Sequence, residues 1–249
     1  MIASFGVAVG MLSFWDGDIA TNIALMKEGS YNPYKEFNQF INSLFFNALQ
    51  LNWVSDWALE KFGPETGYYV QCYIRDLAAG TAVYWGTAGT WHFLIYNVWA
   101  EQLFFSQGRQ LPLWETFIDQ MSLAQASIFL YAGLPIISEY IIENNLTKVY
   151  FYIDQVGGWP GYFFYLFLYI VFVEIGIYWV HRTLHTNKFL YKYIHGLHHK
   201  YNKASTMTPW CSIAFNPIDG LLQVLQCGVP MSANLPTILM LLIILTILQ

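Results

Sequence analysis

Charge is what this sequence has least of. Only 11% of its 249 residues are Asp, Glu, Lys or Arg, against about 25% in an ordinary soluble domain. Lipid rather than water is therefore the expected surrounding for much of its surface. Cysteine is scarce too. Cys72, Cys211 and Cys227 are an odd number at wide spacing with no C-x-x-C pair, which argues against a disulfide framework and a cysteine-based zinc site and leaves buried free thiols. The N-terminus lacks the basic segment of a signal peptide, and its uncharged stretch from Met1 to Trp15 runs directly into Asp16 and Asp18. No cleaved leader is expected. Internal repeats and low-complexity linkers are also missing.

What is present is apolar: 56% of the residues are hydrophobic and 19% aromatic. A helix needs about 20 apolar residues to cross a bilayer, and four uncharged stretches approach that length. They are Leu77 to Ala100 (24 residues), Gln120 to Ser138 (19), a run of about 20 from Gly161 to Val180 interrupted by Glu174, and the 30 residues from Gly220 to the end. Pro230 and Pro236 break the last one, which suits two short segments, a re-entrant hairpin or one kinked span. The pattern predicts an all-α, multi-pass membrane helical bundle with three to five membrane-associated helices. Residues 1–76, broken by Gly29, Pro33, Gly63 and Pro64, read as an N-terminal interfacial or lumenal region. Residues 77–156 read as transmembrane helices, and 157–249 as the domain that carries the chemistry. Polar connections are expected at Gly108 to Leu113 and at Glu139 to Asp154, where Glu143, Asn144 and Asn145 look turn-like.

Five of the six histidines fall within 19 residues, as His181-Arg-Thr-Leu-His185 and His195-Gly-Leu-His198-His199. Even spacing would place about half a histidine there. Positions three and four apart share a helical face, so the two segments can aim their imidazoles at one volume as metal ligands. Imidazole suits iron, copper, zinc and nickel alike, and five ligands overfill one zinc while only beginning to furnish two metals. On the first helix Glu174, Tyr178, His181 and His185 form one stripe, making Glu174 a candidate to hydrogen-bond a ligand imidazole or to ligate directly. His92 stands alone and reads as a satisfied interhelical histidine. Asp219 either caps a helix or supports the metal site.

Five of the 11 basic residues (Arg182, Lys188, Lys192, Lys200 and Lys203) lie in the same region, and no acidic residue occurs between Glu174 and Asp219. The positive-inside tendency puts this loop in the cytosol. Its place between hydrophobic spans argues against nucleic acid as the partner, whereas anionic lipid head groups fit it.

The segment Val171-Phe-Val-Glu-Ile-Gly-Ile-Tyr-Trp-Val-His-Arg-Thr-Leu-His185, then Leu190-Tyr-Lys-Tyr-Ile-His-Gly-Leu-His-His-Lys-Tyr-Asn-Lys203, and then Ser212-Ile-Ala-Phe-Asn-Pro-Ile-Asp-Gly-Leu-Leu-Gln223 resembles the fatty acid hydroxylase/sterol desaturase superfamily. Within it, the chain looks most like the sterol C-5 desaturases, or lathosterol oxidases, of plants and algae. The resemblance is strong from about Gly157 to Gln223. It implies an endoplasmic-reticulum enzyme with a non-haem di-iron centre, using O2 and electrons from NAD(P)H through cytochrome b5 and its reductase to introduce the C5 double bond into a Δ7-sterol. His181 and His185 match the first histidine box, and His195, His198 and His199 the second. The family carries a histidine where this chain has Asn216, and a third box, H-x-x-H-H, beyond the last hydrophobic span. No histidine follows His199 here, so a C-terminally truncated, incomplete domain is expected. Other branches, a sterol C-4 methyl oxidase or a lipid hydroxylase, and a non-catalytic truncated membrane protein remain open alternatives.

Overall fold

The computed structural model describes residues 31–144, 153–203 and 205–222 together with residues 21, 24, 25, 28, 29 and 146. The expected final span beyond Leu222, the first 15 residues and Cys227 lie outside the described residues. Every regular element among the described residues is helical, as the all-α reading requires. The main helices are α1 (Pro33–Ala48), α2 (Asn52–Phe93), α3 (Trp114–Tyr131), α4 (Gly133–Glu143), α5 (Gly158–Thr186) and α6 (Lys188–Tyr193). Among the described residues, two stretches are long and apolar enough to cross a membrane, Trp114–Glu143 and Gly158–Thr186. They match the second and third of the four stretches singled out above. The first, from Leu77, is helical through Phe93 and continues as a π turn at Leu94–Val98, but Gly80, Thr81, Gly86, Thr87, Gly89 and Thr90 dilute its apolar character.

The described residues form two compact units, interleaved in sequence: those from 31 to 72 with those from 137 to 175, and those from 73 to 136 with those from 176 to 222. In the first, Pro33 is no simple breaker. It occupies the first turn of α1, where its missing N–H costs nothing, while Asn32 caps the helix by accepting from the N–H groups of Tyr34 and Lys35. Helix α2 is bent at Gly63 (φ 80°, ψ 171°), a conformation open to glycine, followed at once by Pro64. The bend brings the two limbs close enough that a Cβ on Gly67 would lie 2.6 Å from the carbonyl oxygen of Ala58. Glu143 departs from its turn-like reading. It is the last residue of α4, 5% exposed, and its carboxylate accepts from Asn38 Nδ2 (2.9 Å), Tyr68 OH (2.7 Å) and Tyr69 OH (3.2 Å). Three donors satisfy a charge that would otherwise be prohibitive to bury.

The second unit has an aromatic-rich core of Tyr84 and Ala88 from α2, Phe117, Ala124 and Ile128 from α3, and Tyr201, Trp210 and Ala214 from the segment after α6. Buried positions on α3 (Phe117, Gln120, Ala124, Ser127 and Ile128) recur at three- and four-residue intervals and so form one face. That face also carries polar ties. Asp119 binds Lys200 and accepts from Tyr201 OH at 2.7 Å. The fully buried Gln120 donates to the Thr206 carbonyl at 2.6 Å and accepts from Thr208 Oγ1, and Ser127 donates to the Phe215 carbonyl at 3.2 Å. Helix α3 thus holds the chain from residue 200 to 215 in place.

Candidate metal centre

Three imidazoles converge in the second unit, those of His181, His185 and His195, and a fourth, His199, adjoins them through His195. His181 and His185 sit one turn apart near the end of α5, with their Nε2 atoms 3.2 Å from each other. Asn187 then stops that helix and starts α6, accepting from the N–H groups of Phe189 and Leu190. After α6 the chain tightens into the 3-10 helix His195–Tyr201, which brings His195 and His199 back to the same point. His195 Nε2 lies 3.2 Å from that of His185 and 3.1 Å from that of His199. The glycine in His-Gly-Leu-His-His has a local cause, since a Cβ on Gly196 would stand 3.0 Å from the Tyr191 carbonyl.

Hydrogen bonding among the rings does not account for every one of these close approaches at once. The buried carboxylate of Asp219 accepts from Nδ1 of His195 at 2.8 Å, both side chains being fully excluded from solvent. With its proton on Nδ1, His195 offers one lone pair at Nε2, yet two further Nε2 atoms approach it. A cation shared by the lone pairs resolves the conflict. A metal bonded at about 2.1 Å to two imidazoles holds their nitrogens about 3.0 Å apart at right angles and about 3.4 Å apart at the tetrahedral angle. The observed 3.1–3.2 Å separations lie between these limits. The ligand atoms of His181, His185 and His195 all fall within 4.8 Å of one another.

Burial lowers the pKa of His195, against the opposing pull of Asp219, and burial likewise lowers that of His199. Both effects favour the neutral imidazole, which is the form that binds metal. The donor set, three or four imidazole nitrogens with a carboxylate behind one of them, fits a first-row transition metal.

His198 is placed differently. Its ring stacks on that of His195 (5.1 Å, 17°) and meets Phe215 at 5.3 Å; it is exposed, and like His199 it stands outside the mutually close group of His181, His185 and His195. His92 lies in the aromatic core, accepting from Trp210 Nε1 at 3.1 Å and contacting the rings of Tyr96 and Phe117. Glu174 is exposed on α5, two turns before His181.

The carboxylate that engages a clustered imidazole is Asp219, and the N-cap position itself is held by another residue. That residue is Asn216, whose Oδ1 accepts from the Ile218 N–H and whose carbonyl accepts from the N–H groups of Asp219 and Gly220. Asn216 Nδ2 also donates to the Tyr193 carbonyl at 3.2 Å. Gly220 permits a close approach, because a Cβ there would come within 1.9 Å of the Tyr131 hydroxyl.

The fatty acid hydroxylase family profile matches residues 166–249, a range containing all five clustered histidines and Asp219. The Δ7-sterol-C5(6)-desaturase of Nicotiana tabacum is 36% identical over 186 residues, 74% of this chain and 66% of the relative. A Δ7-sterol 5(6)-desaturase of Gibberella zeae is 40% identical over 105 residues, 40% of this chain and 30% of the relative. Lathosterol oxidase of Rattus norvegicus is 35% identical over 98 residues, 37% and 30% respectively. The chain belongs to the fatty acid hydroxylase/sterol desaturase superfamily. It spans 66% or less of the length of these relatives. No solved structure matches it.

Membership of this superfamily gives the Asn-Pro-x-Asp-Gly stretch a physical meaning. Asn216 and Pro217 start a helical turn, Asp219 reaches His195 from it, and Gly220 lets it pack against α3. The sequence signal was there, in an acidic residue following a capping pair, but its partner lies 24 positions upstream.

Proposed function

We propose that this chain carries the metal centre of a membrane-embedded sterol C-5 desaturase, in which His181, His185, His195, His198 and His199 are metal ligands. The observation that carries the proposal is the convergence of His181, His185 and His195 at the end of an apolar helix, with His199 Nε2 close to that of His195 and a buried aspartate behind the His195 ring. In this reading residues 1–76 are an interfacial or lumenal region, 77–156 supply transmembrane helices, and 157–249 form the hydroxylase domain, its histidines on the cytosolic face of the endoplasmic reticulum. Electrons come from NAD(P)H through cytochrome b5 and its reductase.

Iron bound at the cluster, as two non-haem ions, would supply O2 activation and the removal of hydrogen from an unreactive C–H bond of a Δ7-sterol. The chain's own residues prepare that chemistry. His181 and His185 are held by the rigid end of α5. Asp219 keeps the His195 proton on Nδ1 and turns Nε2 toward the cluster. Asp119, Gln120 and Ser127 tie the segment that follows the second box to α3, which holds the chain on that side of the cluster. His198, exposed beside the four, is positioned to serve a second ion. Glu174 is proposed to act through the first box from the same helix. A lipid substrate arrives from the bilayer and electrons from the cytosol, and the end of α5 is where the two meet.

The test is expression of the gene encoding this chain, with its natural flanking sequence, in a yeast strain lacking C-5 desaturase. Restored Δ5,7-sterols in the wild type, and their loss in H185A and H195A, are expected. Accumulation of a hydroxylated sterol instead would reassign the activity to a hydroxylase branch, and unchanged Δ7-sterols would refute the proposal.

A further inference from the structure

Helix α6 has a face that the metal centre does not use. Phe189 and Tyr193 are 66% and 59% exposed, with their rings 4.9 Å apart. At 100° per residue they share an arc of about 140° with Lys188 and Lys192, both exposed. Lys192 Nζ lies 5.1 Å above the Tyr193 ring, which lets its stem cover aromatic surface while its charge stays outward. On another side of the helix, Tyr191 stands 5.7 Å from the His185 ring and 6.0 Å from that of His199. The helix begins two residues after α5 ends at Thr186, and α5 is long and apolar enough to cross a membrane.

We infer that α6 is an interfacial anchor for an anionic bilayer. Phe189 and Tyr193 enter the boundary between head groups and acyl chains, Lys188 and Lys192 meet the lipid phosphates, and Tyr191 passes that seating to His185 and His199. Amphipathic rings settle at this depth, and basic side chains beside a membrane are drawn to anionic lipid. No acidic residue between Glu174 and Asp219 opposes that attraction. An acidic protein surface would account for the lysines but not for two adjacent exposed rings next to a membrane exit, whereas lipid accounts for both. The inference rests on α5 spanning the membrane.

The test uses an environment-sensitive fluorophore on single cysteines, F189C or Y193C, in a full chain carrying C72S, C211S and C227S, with I170C as reference. The proteins are placed in vesicles of phosphatidylcholine with phosphatidylserine, doped with lipids bearing a nitroxide at the head group, high on the acyl chain or at mid-chain. Labels at 189 and 193 are expected to be quenched best by the shallow acyl nitroxide, and the label at 170 by the deep one. K188Q/K192Q should lower the ratio of seated to unseated helix about thirty-fold, since each lysine near an anionic surface contributes on the order of 1 kcal/mol, and phosphatidylcholine alone should act likewise. Quenching at 170 but at neither 189 nor 193 overturns the anchor while α5 still spans. Loss of quenching at all three positions overturns the spanning helix as well. Protection of 189 and 193 by an added acidic protein, without lipid quenching, would assign the face to a protein partner and also refute the inference.

Discussion

Asp219→Asn probes the metal centre most directly. The carboxylate and the His195 ring are both fully buried and 2.8 Å apart, so no water competes for the contact. A hydrogen bond to a charged partner contributes about 1.5–3 kcal/mol and a neutral one about 0.5–1.5. Exchanging carboxylate for amide therefore removes roughly 1–1.5 kcal/mol of preference for the Nδ1–H form, or about tenfold in metal affinity. That falls at the lower end of the 10- to 100-fold expected when a group behind a metal ligand is changed. Asp219→Ala removes the acceptor outright and should reach the upper end, with added loss of stability from an unpaired buried N–H. The assay is competition of purified protein against a chelator of known affinity, with metal content measured directly and a thermal melt run alongside. Wild-type affinity in D219N, together with strong loss in H195A, would refute the claim that Asp219 orients His195. Equal loss of metal and of cooperative melting in both Asp219 variants would mark the aspartate as a folding element only.

Other outcomes follow from the same geometry. H185A and H195A should abolish high-affinity binding of the first ion, whereas H198A should reduce total stoichiometry more than first-ion affinity, as read by metal titration. Gly220→Ala forces a Cβ to within 1.9 Å of the Tyr131 hydroxyl, whereas Gly196→Ala meets the Tyr191 carbonyl at 3.0 Å. The former should cost about 1–3 kcal/mol and the latter less, an order that thermal melts can check. Gln120→Leu leaves the Thr206 carbonyl and Thr208 hydroxyl without their partner and should cost about 1–3 kcal/mol in the same assay. Asp119→Asn should cost under about 1 kcal/mol, because the pair with Lys200 is half exposed. Hydrogen bonding to Asp119 raises the Lys200 pKa. Its contribution is thus fully present below the ordinary lysine pKa near 10 and lost as pH rises through the raised value, so melts at pH 6 and pH 8 should show the same small difference between wild type and D119N.

The sequence by itself determined the helical class, the apolar stretches of α3 to α5, and the pairing of the two histidine boxes. Composition and three- and four-residue spacing are local properties, legible wherever a helix forms. The 3-10 helix at His195 changes the second box from the α-helical reading: residues three apart eclipse in it, so His198 stacks on the His195 ring while His199 brings its Nε2 to 3.1 Å from that of His195. What the sequence left open turned on partners far away along the chain. Glu143 reads as a turn residue until Asn38, Tyr68 and Tyr69 surround it. Asp219 reads as a helix cap until Asn216 takes that place and His195 arrives beside it. Glu174 and Asp219 were both available to support the cluster. Helical periodicity favoured the first, but only the packing of the 200–215 segment on α3 decided that the second is the carboxylate on an imidazole. Burial and hydrogen-bond pairing are sums over the whole fold, and no window of the chain contains them.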